Sequence, residues 1–260
     1  NGGFIGNSTY ANLAINGSGA LTGAINFFTT TALSQLTMNR STNGAATMGT
    51  TLTVSTLTLN QGLLNLGTTD LNIAAGGTVN GNAPSASNMV VTTASSGYLT
   101  QTLASGASNV LFPIGENVGS PTAEYCGFTL TVAANSLTNR IVGFKVIDNA
   151  NPPSLPVGTA DYTTRYFTGK TSATTGTFTW SASLPYFTTD IVGVEANMVT
   201  GQAPGSTWTQ LGTVNTASNL LEISSAAIAN LSTGGTNFAG LGILCPNPSG
   251  PNDFTLNTIS

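Results

Sequence analysis

The sequence holds no histidine, and its 260 residues carry only five basic and nine acidic side chains. Charged residues make up 5% of the chain, against roughly 25% in an average globular domain. Between Asn1 and Ile114 there are two, Arg40 and Asp70. Acid–base catalysis, phosphate cradling and metal capture need clusters of ionisable groups, and the first half lacks the material for them. The thinly spread net charge of −4 forms no basic patch, so nucleic acid is excluded as a partner. No run approaches the roughly 18–20 continuous apolar residues of a membrane-spanning helix, and no transmembrane segment is expected. Without histidine or a Cys-x-x-Cys pair, zinc-type ligation is excluded as well.

Cysteine is nearly absent too. Cys126 and Cys245 are the only two. In an oxidising compartment a disulfide between them closes a loop of about 118 residues and contributes close to 5 kcal/mol in the chain-entropy account. The alternative is a pair of buried free thiols. The chain opens on Asn1 without a charged leader segment, as expected of a mature product or of an excerpt from a longer chain.

What is present is repetition. Asn12-Leu13-Ala14-Ile15-Asn16 recurs as Gln35-Leu36-Thr37-Met38-Asn39 and as Thr56-Leu57-Thr58-Leu59-Asn60, at offsets of 23 and 21 residues. A fainter copy, Asp70-Leu71-Asn72-Ile73, follows. Three-residue alternations such as Leu52-Thr53-Val54 and Leu64-Asn65-Leu66 are broken by Gly, Asn and Thr-Thr turns. Short strands at about 20 residues per coil predict a parallel β-helix over residues 1–95. Asn16, Asn39 and Asn60 fall at equivalent positions. They either hydrogen-bond along the axis as an amide ladder or serve singly as turn formers.

From about Tyr98 the rhythm changes: runs lengthen, prolines appear, and most aromatics and charges are found here. Strands are expected near 98–103, 128–132, 141–146, 163–168, 176–181, 192–198, 207–211, 220–223 and 237–244. Their spacing with intervening turn signals predicts an antiparallel β-sandwich over residues 96–260. The whole chain reads as all-β, and the best helical stretch, around 224–230, is one or two turns.

The order Leu57-Thr58-Leu59-Asn60-Gln61-Gly62-Leu63-Leu64-Asn65-Leu66-Gly67, Leu71-Asn72-Ile73, Phe112-Pro113-Ile114-Gly115 and Arg165-Tyr166-Phe167 resembles large surface proteins of Bacteroidetes bacteria. The similarity spans about Leu13 to Leu244. It implies export by the type IX secretion route, display at the cell surface, and an adhesive or structural role. Phe167 stands where that family more often has tryptophan, and no sorting domain is recognisable after Cys245.

Candidate sites are few. Parallel β-helices also host polysaccharide lyases and hydrolases, but these need paired carboxylates or a carboxylate with a base, and the helical half offers Asp70 and Arg40 alone. Asp148, Asp161, Asp190 and Glu195 supply oxygens that suit calcium. They lack the spacing of a calcium loop and read as solvated carboxylates. Trp180 and Trp208, with Tyr186 and Phe187, are candidates for a platform stacking on sugar rings; the competing reading is core. Lys145 and Lys170 are the candidates for an isopeptide crosslink to a buried asparagine, which no motif marks. No cofactor or metal is expected. The composition points to a non-enzymatic extracellular structural protein, a surface adhesin segment or a self-assembling filament subunit. Its partners would be further copies of itself or neighbouring domains of a longer surface protein. The alternative is a glycan-binding adhesion module recognising polysaccharide.

Overall fold

The computed structural model describes residues 11–19, 21–27, 31–41, 44–95, 97–117, 123–227 and 230–242. The strands begin with Asn12–Ser18 (β1), Ala24–Ile25 (β2), Ala32–Ser41 (β3), Ala45–Met48 (β4), Leu52–Asn65 (β5), Leu71–Gly81 (β6) and Asn88–Val91 (β7). Next come Leu99–Leu103 (β8), Ser108–Phe112 (β9), Ile114–Glu116 (β10), Glu124–Tyr125 (β11), Phe128–Asn135 (β12) and Arg140–Ile147 (β13). Tyr162–Thr163 (β14), Tyr166–Thr171 (β15), Phe178–Pro185 (β16) and Ile191–Val192 (β17) follow. Met198–Ala203 (β18), Thr209–Asn215 (β19), Leu220–Ala227 (β20) and Thr236–Gly242 (β21) complete the series. Among the described residues, helical geometry is confined to single 3₁₀ turns at Thr188–Asp190 and Glu195–Asn197. Ser224–Ala227, the best helical stretch by sequence, is the end of β20.

The first part of the chain is a parallel β-solenoid. β1, β3, β5, β6 and β8 stack on one face, and β2, β4, the end of β5, β7 and β10 on the other. Inward side chains alternate with outward ones along each strand, so stacking places apolar residues directly above one another. One row runs Leu13, Leu36, Leu57, Val79, and another runs Leu52, Leu71, Leu99. The opposite face carries Ala46, Leu64, Val90 and Ile114. β5 serves both faces and turns the corner at Gly62, whose φ is +97°. A Cβ there would stand 2.6 Å from the Gly44 carbonyl oxygen of the neighbouring coil, so only glycine fits.

The fourth sequence copy stacks differently from its apparent phase. Leu71 and Ile73 sit on Leu52 and Val54, whereas Leu57 is covered by Val79. β5 carries two such apolar pairs on this face, Leu52/Val54 and Leu57/Leu59, and the copy belongs to the first of them.

Beyond the solenoid the pairing turns antiparallel. β8 lies between its parallel neighbour β6 and antiparallel β13; β10 likewise joins parallel β7 to antiparallel β11. The later strands form one ladder in the order β8, β13, β15, β21, β18, β19, β20, β16, β12, β9. The sandwich expected from sequence is thus represented by a single ladder running unbroken from β8 to β9. Its two arms meet across aromatic rings. Phe144 on β13 stands edge-on to Phe112, Phe128 and Trp180 with centroids 5.1, 5.1 and 6.1 Å away. Trp180 in turn meets Phe238 on β21 at 5.8 Å. One apolar cluster runs from the solenoid rows into this aromatic packing.

Truncating fully buried leucine or phenylalanine removes transfer energy and leaves a cavity. Leu57→Ala should cost about 2–5 kcal/mol and Phe144→Ala about 3–5 kcal/mol. Because both belong to the same cluster, urea unfolding followed by far-UV circular dichroism should show a single shifted transition in each variant; two separable transitions would mean that solenoid and ladder fold independently.

Candidate functional site

The two charged residues of the first 114 positions both serve the fold. Arg40 is buried, and its guanidinium donates to the carbonyl oxygens of Asn16, Ser18 and Gly19 at 2.7–2.9 Å. It closes the corner of the outermost described coil. Asp70 accepts from Lys170 Nζ at 2.6 Å and from the Tyr98 amide at 2.8 Å. Lys170 and Lys145 lie 4.2 and 4.9 Å from the Tyr98 ring centroid, and Lys145 also donates to the Ala94 carbonyl. These contacts account for both lysines considered for a crosslink.

The asparagine ladder has one rung. Asn39 Nδ2 donates to Asn16 Oδ1 at 3.1 Å. A bulge after Met38 then pairs Asn39 with Gln61, so Asn60 falls out of line and its carbonyl accepts from Asn82 instead.

The aromatic platform does not form. Trp180 is 1% and Trp208 6% exposed; Trp180 fills the space between the two arms, and Trp208 donates to the Pro153 carbonyl at 2.9 Å. Tyr186 is buried, and Phe187 lies against the Arg165 guanidinium at 4.9 Å. Indoles inside a core present no face to a sugar. Cys126 is a buried free thiol, and its expected partner Cys245 lies outside the described residues.

Of the four carboxylates weighed for calcium, Asp161 anchors the Val194 amide and Asn197, and Glu195 accepts from the Tyr186 hydroxyl. Asp148 and Asp190 are not solvated loop residues. They converge on Arg165, which is fully buried just before β15. Its Nε donates to Asp190 Oδ2 at 2.6 Å, and its Nη1 to Cys126 Sγ at 3.1 Å. Nη2 is shared between Asp148 Oδ2 at 3.1 Å and Glu124 Oε2. Glu116, at the end of β10, completes the set: one oxygen each from Glu116, Glu124 and Asp148 lie within 4.8 Å of one another. The two motifs Phe112-Pro113-Ile114-Gly115 and Arg165-Tyr166-Phe167 therefore meet here, at the seam between solenoid and antiparallel ladder.

Electrostatics in this seam follow from burial. Desolvation pushes the Asp190 carboxyl upward against the pull of Arg165. Burial also pushes the Cys126 thiol up, to about 12, despite the guanidinium beside it. For Arg165 burial acts downward but is outweighed by Cys126, Asp190 and Asp148, so its proton is held more tightly than usual. A thiol kept protonated in this way is no nucleophile.

A second feature is an open groove of about 410 Å³ between the solenoid wall and the ladder. Its solenoid side is the outward column Thr53, Asn72, Thr100. Asn72 Oδ1 accepts from Thr100 and Thr102 hydroxyls at 3.0 and 3.2 Å. The Asp70–Lys170 pair and Thr171 line the same groove. Hydroxyls, an amide and one ion pair can bind a polar ligand, but they include no activated nucleophile.

Comparison with protein-family models, with curated proteins and with solved structures yields no match. The class is defined by the fold alone, a β-solenoid continued by an antiparallel ladder. No helix among the described residues is long and apolar enough to cross a membrane.

Glu116 and Glu124 escaped the sequence reading because they stand alone in the chain, without motif spacing. The signal was Arg165 itself: a basic residue leading directly into the aromatic pair Tyr166-Phe167 in so uncharged a chain needs acidic partners once buried. Removing it while leaving the carboxylates should cost about 3–5 kcal/mol. Arg165→Met should lower the urea midpoint accordingly, and Arg165→Lys should recover little of the loss, because one ammonium cannot replace the fork.

Alkaline stability follows from the tyrosines. Burial, with Asp70, raises Tyr98 above 10.0, and burial, with Glu195, raises Tyr186 further. Groups whose folded values lie above their unfolded ones stabilise the fold fully below pH 10, and that contribution is lost as pH climbs through the raised values. Urea midpoints should be flat from pH 8 to 9.5 and fall above pH 10, in step with phenolate absorbance.

Proposed function

We propose that this chain is a non-enzymatic structural module of an extracellular cell-surface protein, either a stiff adhesin segment or the subunit of a self-assembling filament. One observation carries the reading. The apolar rows of the solenoid continue without interruption into the aromatic core of the ladder, and the charged residues of the first 114 positions, Arg40 and Asp70, are both committed to holding coils and ladder together. Ladder hydrogen bonds along the axis and stacked aliphatic rows give a rod that resists bending and shear. Low charge removes the self-repulsion that keeps copies apart. Among the described residues β1 is the outermost rung, and an edge strand is a template for another strand, here from a second copy or an adjoining domain. Export by the type IX route and surface display rest on the resemblance of the Leu57–Gly67, Phe112–Gly115 and Arg165–Phe167 segments.

Negative-stain electron microscopy of the purified chain tests the filament form. End-to-end rods with an axial repeat are expected; persistent single particles at high concentration would reject it in favour of the adhesin segment. Immunogold labelling of intact source cells tests display, with label at the surface expected.

The groove favours a second reading, a glycan-binding adhesion module. Its recognition would pass from the buried tryptophans to the Thr53, Asn72 and Thr100 column beside Asp70 and Lys170. Under that reading, glycan-array binding should be abolished by Asn72→Ala with the melting temperature little changed, whereas binding indifferent to Asn72 removes this reading.

A further inference from the structure

The seam around Arg165 holds more negative charge than its single guanidinium can neutralise. Glu116, Glu124, Asp148 and Asp190 bring four carboxylates to one buried cation. Arg165 spends its donors on Asp190, Cys126, Glu124 and Asp148. Buried carboxylates without compensation are strongly disfavoured and are neutralised either by protons or by a bound cation.

Two observations favour the cation. The oxygens of Glu116, Glu124 and Asp148 lie within 4.8 Å of one another, no wider than the roughly 4.6–5.2 Å that separates opposite ligands of a calcium ion. Independently, Asp148 has a side chain only 5% exposed, yet its Oδ1 receives no hydrogen bond from any described residue. Its Oδ2 is engaged by Arg165 and by Asn149. A buried carboxylate oxygen left in this state, on a group that belongs to a three-carboxylate cluster, is free to accept a cation. Oxygen donors alone, with no histidine in the chain, select a hard ion. Cys126 Sγ is engaged by the Arg165 guanidinium at 3.1 Å and is not one of the three clustered ligand groups.

We infer that Glu116, Glu124 and Asp148 form a buried calcium site that clamps the last solenoid coil to the antiparallel ladder. Glu116 and Glu124 come from β10 and β11, which extend the solenoid face, and Asp148 follows β13 on the ladder side. An ion shared among them crosslinks both parts. This inference rests on the cluster alone and is independent of whether the chain forms filaments.

The test uses the purified 260-residue chain, stripped with chelator and melted with added Ca²⁺ or Mg²⁺. At 100-fold over its dissociation constant, Ca²⁺ should raise the melting temperature by about 5–10 °C. Isothermal titration should give about one site, with Mg²⁺ much weaker. Asp148→Asn and Glu116→Gln should abolish the Ca²⁺ shift, while Asp161→Asn, away from the cluster, should keep it. Should either cluster variant fail to fold, the titration of the unaltered chain decides alone. No Ca²⁺-dependent shift and no binding heat in that chain would overturn the inference. A shift lost equally in Asp161→Asn would place the ion at the surface and overturn it as well.

Discussion

The structure depends on in-register stacking of aliphatic side chains along a common axis. Leu52, Leu71 and Leu99 form one such row, and Ala46, Leu64, Val90 and Ile114 another. Each coil alone could not bury its apolar side; stacked coils cover one another, and the backbone bonds run between them. This explains how a chain with so few charges, and no long helix among the described residues, attains a core. It also explains why Thr, Asn and Gln dominate outward positions. There they bond sideways, as Gln35 does to Thr58 and Asn39 to Asn16, and satisfy polar groups without charge.

The ladder supplies what the solenoid lacks at its C-terminal end. A solenoid terminates in an unpaired rung, which invites uncontrolled addition. Here β8 is covered by antiparallel β13 and β10 by β11. The ladder then curls until its arms meet over Phe112, Phe128, Phe144 and Trp180. The aromatics are therefore concentrated where two arms must be spaced by bulky side chains, while aliphatics suffice inside the narrower coils.

Much of this was legible in the sequence, for a physical reason: a solenoid repeats its environment, so it repeats its residues. The first three copies stack at the offsets the sequence displays, Leu13 on Leu36 on Leu57. The fourth matches either of two similar apolar pairs in β5, Leu52/Val54 and Leu57/Leu59, and only the segment 74–77, which stands opposite Ser55 alone and so adds three residues, reveals which pair is continued. Asn60 was misplaced by one residue through the bulge beyond Met38, and a bulge leaves no compositional trace. The tryptophans were ambiguous because burial of an aromatic depends on partners far away in the chain, such as Phe238 for Trp180. The Arg165 seam was the least legible part. Its members at 116, 124, 148, 165 and 190 are brought together by tertiary pairing alone, and no local period relates them.

The position of that seam follows from what apolar stacking cannot do. Rows of similar aliphatic side chains tolerate a slip of two residues with little loss, because inward positions recur every second residue. A β10 slipped by two residues in one direction would still bury an apolar side chain, Phe112, against Val90. It would not leave Glu116 and Glu124 facing Asp148 across a guanidinium fork, whose geometry accepts oxygens in only a few directions. A buried ionic group contributes little to net stability but heavily penalises every arrangement in which its partners are missing. Placing one where the chain passes from parallel to antiparallel pairing puts this selectivity at the junction with the least internal repetition to guide it. The cluster therefore belongs at the end of the solenoid and not within its coils, where repetition already sets the register and a charge would only cost solvation.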